Sequence, residues 1–390
     1  MKFPRVAQRI HSWVMTATLD AVPVRVDDPV NARILAVSED RIAGFDPNPI
    51  ATISTLAGVE ASVVVERIVA MLRAGVIRRV RQTLLANRLA EGALVAWKVP
   101  EERLDSAFDA LFREDPFAGH VVIRSTDAQT PGSAYRLWTT LKVPQGFSVN
   151  EHCAWWAPRL GATGFRTMAA KKLFALGVGH VRRRSLEVGG KASVPADPID
   201  AEVVGLGESQ WRVLRVLKRE FEPDEIGPDL WVPRAREAGL SIDAFVEQVR
   251  QIESLGLIGR FSTFLEHAKP LSTGERVTRY NALFHWAVPE GMQMQAGREV
   301  GRFFCMTHAY WREGGPEFAD VNVMGVAHGQ DKQLVLAHKQ AIDDHLRAVG
   351  IPLSYTNVFW GGRSEIKPSE IDPLAYRAWC SHVGFTPAAE

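Results

Sequence analysis

LVAWKVPEE, Leu94 to Glu102, returns later in the chain as LFHWAVPEG, Leu283 to Gly291. Trp97 aligns with Trp286, Pro100 with Pro289 and Glu101 with Glu290, each pair 189 positions apart. Further on, GHVVIR (Gly119 to Arg124) matches THAYWR (Thr307 to Arg312) at an offset of 188, which pairs His120 with His308 and Arg124 with Arg312. Upstream, LRAGVIRRV (Leu72 to Val80) matches ESLGLIGRF (Glu253 to Phe261) at an offset of 181. The change in offset falls in LEHAKPLSTGERVTR, whose composition is that of a loop. Three matches in one order and nearly one spacing define an internal repeat.

Each copy opens with three helical patterns: Val30 to Val37, Pro49 to Leu56 and Ala61 to Leu72, then Trp211 to Arg219, Leu230 to Ala238 and Ile242 to Leu255. Gly75 and Gly256 end the third helices, since a left-handed cap favours glycine. The β-branched VIRRV and its counterpart LIGRF follow as wing strands, so each copy begins as a winged helix-turn-helix. The remainder reads strand, helix, strand, strand, helix, strand, the ferredoxin-like order. In the first copy these elements are Leu94 to Val99, Glu101 to Phe112, His120 to Arg124, Tyr135 to Val143, Ser148 to Trp156 and Met168 to Leu176. In the second they run from Tyr280 to Trp360. The expected class is therefore α+β, a tandem repeat of winged helix and ferredoxin-like domain. Its boundaries are a lead-in at 1–27, winged helices at 28–81 and 204–262, and ferredoxin-like domains at 82–184 and 263–368. A linker at 185–203 and a tail at 369–390 complete the chain.

The chain has 390 residues, enough for several cores, and its formal net charge of +1 gives no global pull toward nucleic acid or an anionic membrane. Any anion site must therefore be a local cluster of cations. Cys153, Cys305 and Cys380 are too scattered for a CxxC site and suit a reducing compartment. No stretch has the 18 or more apolar residues that a membrane span needs. These features point to a cytoplasmic protein.

Winged helix followed by ferredoxin-like domain resembles the Lrp/AsnC regulators. A DNA reader needs cations and polar groups on its third helix. Here Ala61 to Leu72 offers Arg67 beside Glu66 and three valines, and Ile242 to Leu255 sets Asp243, Glu247 and Glu253 against Arg250. Both helices read as packing surfaces, and no nucleic acid is expected.

The motifs resemble those of the siroheme decarboxylases, in which an Lrp-like fold serves tetrapyrrole chemistry. One subunit type of that family carries a segment like SHNYxR followed by YNLWFTL; GHVVIRS and AYRLWTTLKVP stand in those places. His120, Arg124, Tyr135, Leu137, Trp138 and Leu141 match, whereas Val121, Val122 and Arg136 depart. The other type carries SHCYxR and then NLFTMIHG, matched by THAYWRE and VNVMGVAHG through His308, Tyr310, Arg312, Asn322, Met324, His328 and Gly329. The family's GVIRR wing stands at Gly75 to Arg79. The resemblance implies both subunit types in one chain, acting as a carboxy-lyase on siroheme in haem d1 or alternative haem biosynthesis. It implies no cofactor beyond the iron of the substrate. It also implies an internal pseudo-dimer, free to pair again.

Siroheme carries eight carboxylates, for which arginine's planar fork is the best partner. On that resemblance His308 and His120 are the candidate proton donors. Arg78, Arg79, Arg124 and Arg312 are candidate carboxylate clamps, and Tyr135, Tyr310, Asn322 and His328 complete the expected substrate contacts. Each has a plainer reading: a hydrogen-bonded strand histidine, a solvated strand-end arginine, or, for Tyr135, Trp138, Trp97 and Trp286, core packing. Losing two polar groups to Val121 and Val122 leaves the first copy free to serve as a binding or structural half. A haem- or tetrapyrrole-binding regulator, or a carrier without catalysis, is the alternative.

Overall fold

In the computed structural model, residues 22–176, 186–266 and 279–388 are described; most of the lead-in and part of the linker lie outside them. In chain order the first copy supplies α1 (Pro29–Ser38), β1 (Ile42–Ala43), α2 (Pro49–Ala57), α3 (Ala61–Arg73) and β2 (Ile77–Leu84). There follow β3 (Ala90–Lys98), α4 (Leu104–Glu114), β4 (Ala118–Ser125), β5 (Leu137–Pro144), α5 (Val149–Leu160), β6 (Gly164–Ala169) and β7 (Lys172–Leu176). After the short β8 (Ile199–Asp200), the second copy gives α6 (Glu208–Leu217), α7 (Val232–Glu237), α8 (Ile242–Ser254) and β9 (Ile258–Leu265). Last come β10 (Tyr280–Ala287), α9 (Gln293–Gly301), β11 (Met306–Trp311), β12 (Val323–Gly329), α10 (Lys332–Ala348), β13 (Tyr355–Ile366) and α11 (Pro373–Val383).

These elements sort into two compact units, each drawing on both copies: residues Met1–Leu85 with Leu206–Glu266, and Ala86–Gly205 with His267–Glu390. The first unit holds both winged helices. Asp28 caps α1 by accepting from the backbone N–H groups of Val30 and Asn31, and Ser241 caps α8 through Ala244 N–H. The two wings pair with each other, β2 antiparallel to β9, from Ile77↔Leu265 to Leu84↔Ile258. On the third helices, Arg67 is held by Asp28 at 3.3 Å and Arg250 by Glu253 at 2.7 Å, which leaves Arg73, in the last turn of α3, as the cation with no ion pair among the described residues.

The second unit holds both sandwiches. Its ten-stranded sheet runs β6-β3-β5-β4-β13-β10-β12-β11-β7-β8. Within it β6-β3-β5-β4 and β13-β10-β12-β11 repeat the same ferredoxin-like order. The expected single strand from Met168 to Leu176 is in fact two. β6 pairs with β3 of its own copy, and after Ala170 and Lys171 the chain crosses to pair with β11 of the other as β7. The second copy does the same without a break: β13 pairs first with β10, from Ala287↔Tyr355 to Asn281↔Gly361, and then with β4, from Trp360↔Ser125 to Ile366↔His120. β6 and β7 are one run of chain that pairs with both copies, as β13 is, so two continuous segments tie the halves of the sheet together, and the inner faces of both halves contribute to one shared apolar cluster.

Side-chain alternation then sorts the apolar residues into three cores. Trp97, Phe108, Phe117, Leu137 and Trp156 pack under the helices of the first sandwich, and Phe284, Trp286, Val300, Phe303 and Ile342 under those of the second. Between the sheets lies a third cluster with Ala96, Val122, Trp138, Met324 and Phe359. The tail forms α11 on the first core. There Tyr376 lies 3.0 Å from His152 Nδ1, whose Nε2 lies 3.1 Å from Asp115 Oδ2. His152 is thus a fully buried structural link.

The crossing strand β7 is anchored by Phe174, buried in the second core although its chain comes from the first copy. A Cβ on Gly297 or Gly301 of α9 would fall 2.0 Å from the Phe174 ring or 2.5 Å from its carbonyl oxygen. Glycine is costly inside a helix, and here close approach by the crossing strand requires it. Replacing Phe174 with Ala should cost the sandwich unit about 3–5 kcal/mol, the usual loss for a buried phenylalanine. Chemical denaturation followed by tryptophan fluorescence measures it; a loss below 1 kcal/mol would mean that the crossing strand is dispensable.

Candidate functional site

On β4, Val121 and Ile123 belong to the helix-covered core, so His120, Val122 and Arg124 face the inner side. On β11, Ala309 and Trp311 face the helices, which turns His308, Tyr310 and Arg312 inward. By the same alternation β5 turns Trp138, Thr140 and Lys142 inward, and β12 turns Met324, Val326 and His328. Much of the centre is packed solid, but not all of this face is. Thr140 is exposed, and His120, Lys142, His308, Tyr310, Val326 and His328 are half-buried, so water reaches the inner side.

Two imidazoles from the two copies meet there. Nε2 of His120 lies 2.8 Å from Ser364 Oγ. Burial first, then the positive charge of Arg124, then His308 itself, push His120 down to about 3, so it is neutral at neutral pH. The influence of His308 places both rings within electrostatic reach of one another. Nδ1 of His308 lies 3.2 Å from Thr307 Oγ1, which is 3.3 Å from His328 Nδ1. Tyr310 stacks on His308 with ring centres 6.0 Å apart and planes within 10°, and burial raises its hydroxyl pKa.

The arginines do not stay with their own copy. Both terminal nitrogens of Arg124 donate to Asn281 Oδ1 at 3.2 Å, and one also to the Phe359 carbonyl at 3.3 Å, all in the second copy. Asn281 pairs across strands with His328. Reciprocally, Arg312 donates to the Met168 carbonyl of the first copy, lies 4.4 Å over the Tyr310 ring, and repels Lys142. β4 and β11 are the strands on which the copies exchange partners, so each guanidinium reaches the neighbouring sandwich. Burial lowers both guanidinium pKa values, that of Arg124 to about 10. Among the described residues no ion pair involves Arg124, Arg312 or Lys142. Two buried guanidiniums and a half-buried ammonium thus share the inner face without a carboxylate partner, an arrangement with the charge to attract an anion.

Other expected residues lie elsewhere. Asn322 accepts from Val288 N–H at 3.0 Å and donates to the Val288 carbonyl at 2.7 Å, so its amide is consumed by the backbone. Tyr135 packs on Phe318 at 5.2 Å in the inner apolar cluster. Arg78 and Arg79 belong to the winged-helix unit, where Arg79 pairs with Glu220 at 3.3 Å and lies over Phe264. Trp97, Trp138 and Trp286 are core residues whose indole N–H groups bond Thr139, the Tyr135 carbonyl and Asp343.

Residues 89–175 match the model of the AsnC-like ligand binding domain. The siroheme decarboxylase NirDL subunit of Paracoccus denitrificans (strain Pd 1222) is 21% identical over 312 residues, covering 79% of this chain and 86% of that protein. The crystal structure of the siroheme decarboxylase NirDL aligns with a TM-score of 0.66 at 16% identity, over 92% of this chain and 99% of that one. Its co-complex with an iron-uroporphyrin III analogue gives 0.64 at 16% identity, over 91% and 99%. This chain resembles the siroheme decarboxylases in fold and in sequence. That likeness runs through both copies, and no described helix is long and apolar enough to cross a membrane.

Three residues of this inner face escaped the motifs: Lys142, Asn281 and His285. Lys142 stands inside the quoted AYRLWTTLKVP and repeats at the inner position of His328, but the change of residue type hid the equivalence. His285 is fully buried between Trp138, Phe318 and Phe359, and neither ring nitrogen has a partner. Burial, with Arg124 and Lys339, pushes it down to about 3. The unfolded chain protonates His120 and His285 near the ordinary value of about 6.5, whereas the folded chain resists until about 3. Between those values the unfolded state binds more protons, so stability is complete above pH ~6.5 and is lost as pH falls toward 3. Replacing His285 with Leu should flatten that loss in a series of thermal melts, and an unchanged slope would assign the acid sensitivity to other groups.

Proposed function

We propose that this chain removes acetate carboxyl groups of siroheme without an oxidant, giving didecarboxysiroheme for haem d1 or alternative haem biosynthesis. One observation carries the reading: cations and imidazoles from both copies turn to one water-accessible inner face, with no carboxylate ion-paired to Arg124, Arg312 or Lys142 among the described residues. An octa-anionic macrocycle has the complementary charge, and the NirDL co-complex holds an iron-uroporphyrin III analogue, a tetrapyrrole.

In the reaction the bond between the acetate methylene and its carboxylate breaks and CO2 leaves. The electron pair passes into the conjugated macrocycle, and the carbon takes a proton to become a methyl group. The iron belongs to the substrate, and no other cofactor enters the proposal. Arg124, fixed by Asn281, and Arg312, stacked on Tyr310, supply charge-assisted hydrogen bonds to carboxylates. His308, with Tyr310 beside it, serves as the proton donor. His120 is neutral in the ligand-free chain, and an anionic carboxylate beside it would raise its pKa toward the working range. With Val122 where the second copy has Tyr310, the first copy has the weaker proton-transfer equipment and serves chiefly in binding.

A regulator that reads DNA fits less well, because Arg67 and Arg250 are engaged by Asp28 and Glu253. Anaerobic incubation with siroheme, followed by mass spectrometry, should show the loss of one and then two CO2 units. His308→Ala should still bind the macrocycle while turnover falls about 100-fold or more, the usual cost of a lost proton donor. Full turnover in that variant would remove His308 from the mechanism, and no mass loss with the unaltered chain would remove the activity itself.

A further inference from the structure

We infer that Lys142 is a carboxylate anchor for the tetrapyrrole, standing in the first copy where His328 stands in the second. The inference rests on the binding reading above and adds to it a residue that the family motifs do not contain. Strand register establishes the equivalence. His120 pairs with Thr140, and Lys142 lies two residues further along β5; His308 pairs with Val326, and His328 lies two residues further along β12. Across the sheet Lys142 faces Gly92, as His328 faces Asn281.

The exchange of Asn281 for Gly92 decides what Lys142 can do. A Cβ on Gly92 would lie 3.4 Å from the Lys142 ammonium, so the bare backbone gives the lysine head its place on the inner side. Lysines normally extend their heads to bulk water. This one is half-buried, and the charge that acts on it most is a second cation, Arg312. No ion pair among the described residues offsets either charge. Burial and Arg312 together push the ammonium down to about 8. Such a pair opposes folding on its own and becomes favourable once an anion sits between or beside the two charges. A purely structural lysine would need a carbonyl or carboxylate at its head, and none is bonded to it among the described residues.

The two halves of the site therefore differ in kind. One presents an ammonium beside Arg312 and the other an imidazole beside Arg124 and Asn281. A macrocycle held by an ammonium on one side and by imidazole rings on the other has a preferred orientation.

The test titrates the full-length chain and its Lys142→Met variant anaerobically with two probes, followed by absorption. Iron uroporphyrin III carries acetates and propionates, and iron coproporphyrin III carries propionates alone. Loss of a charged hydrogen bond should weaken binding of iron uroporphyrin III by about 10-fold or more. Weakening confined to iron uroporphyrin III assigns Lys142 to an acetate, and weakening of both probes assigns it to a propionate. The melting temperature of the ligand-free variant should hold or rise, because a buried repulsion is gone. Unchanged affinity for both probes, or a variant that melts well below the parent without ligand, overturns the anchor and leaves the binding reading standing. An unaltered chain that binds neither probe would overturn both.

Discussion

The site depends on one exchange of strands. β7 leaves its own sandwich after Lys171 to pair with β11, and the far half of β13 leaves its own to pair with β4. An isolated ferredoxin-like sheet would have β4 or β11 as an unpaired edge with its inner face open to water. Exchange satisfies those backbone groups and turns the two inner faces toward one another. The glycines at 297 and 301, which admit Phe174 where any side chain would clash, are the local sequence adaptation that lets the crossing strand seat.

Exchange also explains why buried cations are tolerated. Removing Arg124 and Arg312 from bulk water is costly when no carboxylate compensates. Partial relief comes from carbonyl and amide oxygens, Phe359 and Asn281 for Arg124 and Met168 for Arg312, and from the Tyr310 ring. Each of the two arginines takes its oxygen partners from the opposite copy, so the charged inner face is a joint product. A single copy would leave each guanidinium short of its partners, which gives a physical reason for two non-identical copies in one polypeptide.

The copies have diverged where their chemistry differs. Val122 against Tyr310, Gly92 against Asn281, and Lys142 against His328 are all inner-face positions at matching register. The tryptophans at 97 and 286, which face the helices, are unchanged. Packing constrains both copies alike, whereas the inner face is free of that constraint and differs.

The repeat, the winged helices and the order of strands were legible from sequence, because hydrophobic periodicity and turn residues act over a few neighbours and leave a local pattern. His120, His308, Arg124 and Arg312 were legible as well, since identical residue types recur at one offset. Strand partners across the copies were not legible: an edge strand carries no local mark of which chain segment will pair with it. That pairing assigned Arg124 to Asn281 and Arg312 to the neighbourhood of Lys142, took Asn322 for the backbone of Val288, and kept Tyr135 in the core. Composition and spacing determined which groups this protein possesses. Only the strand pairing between the copies decided which of them share one inner face, because that depends on hydrogen bonds between strands up to 246 residues apart.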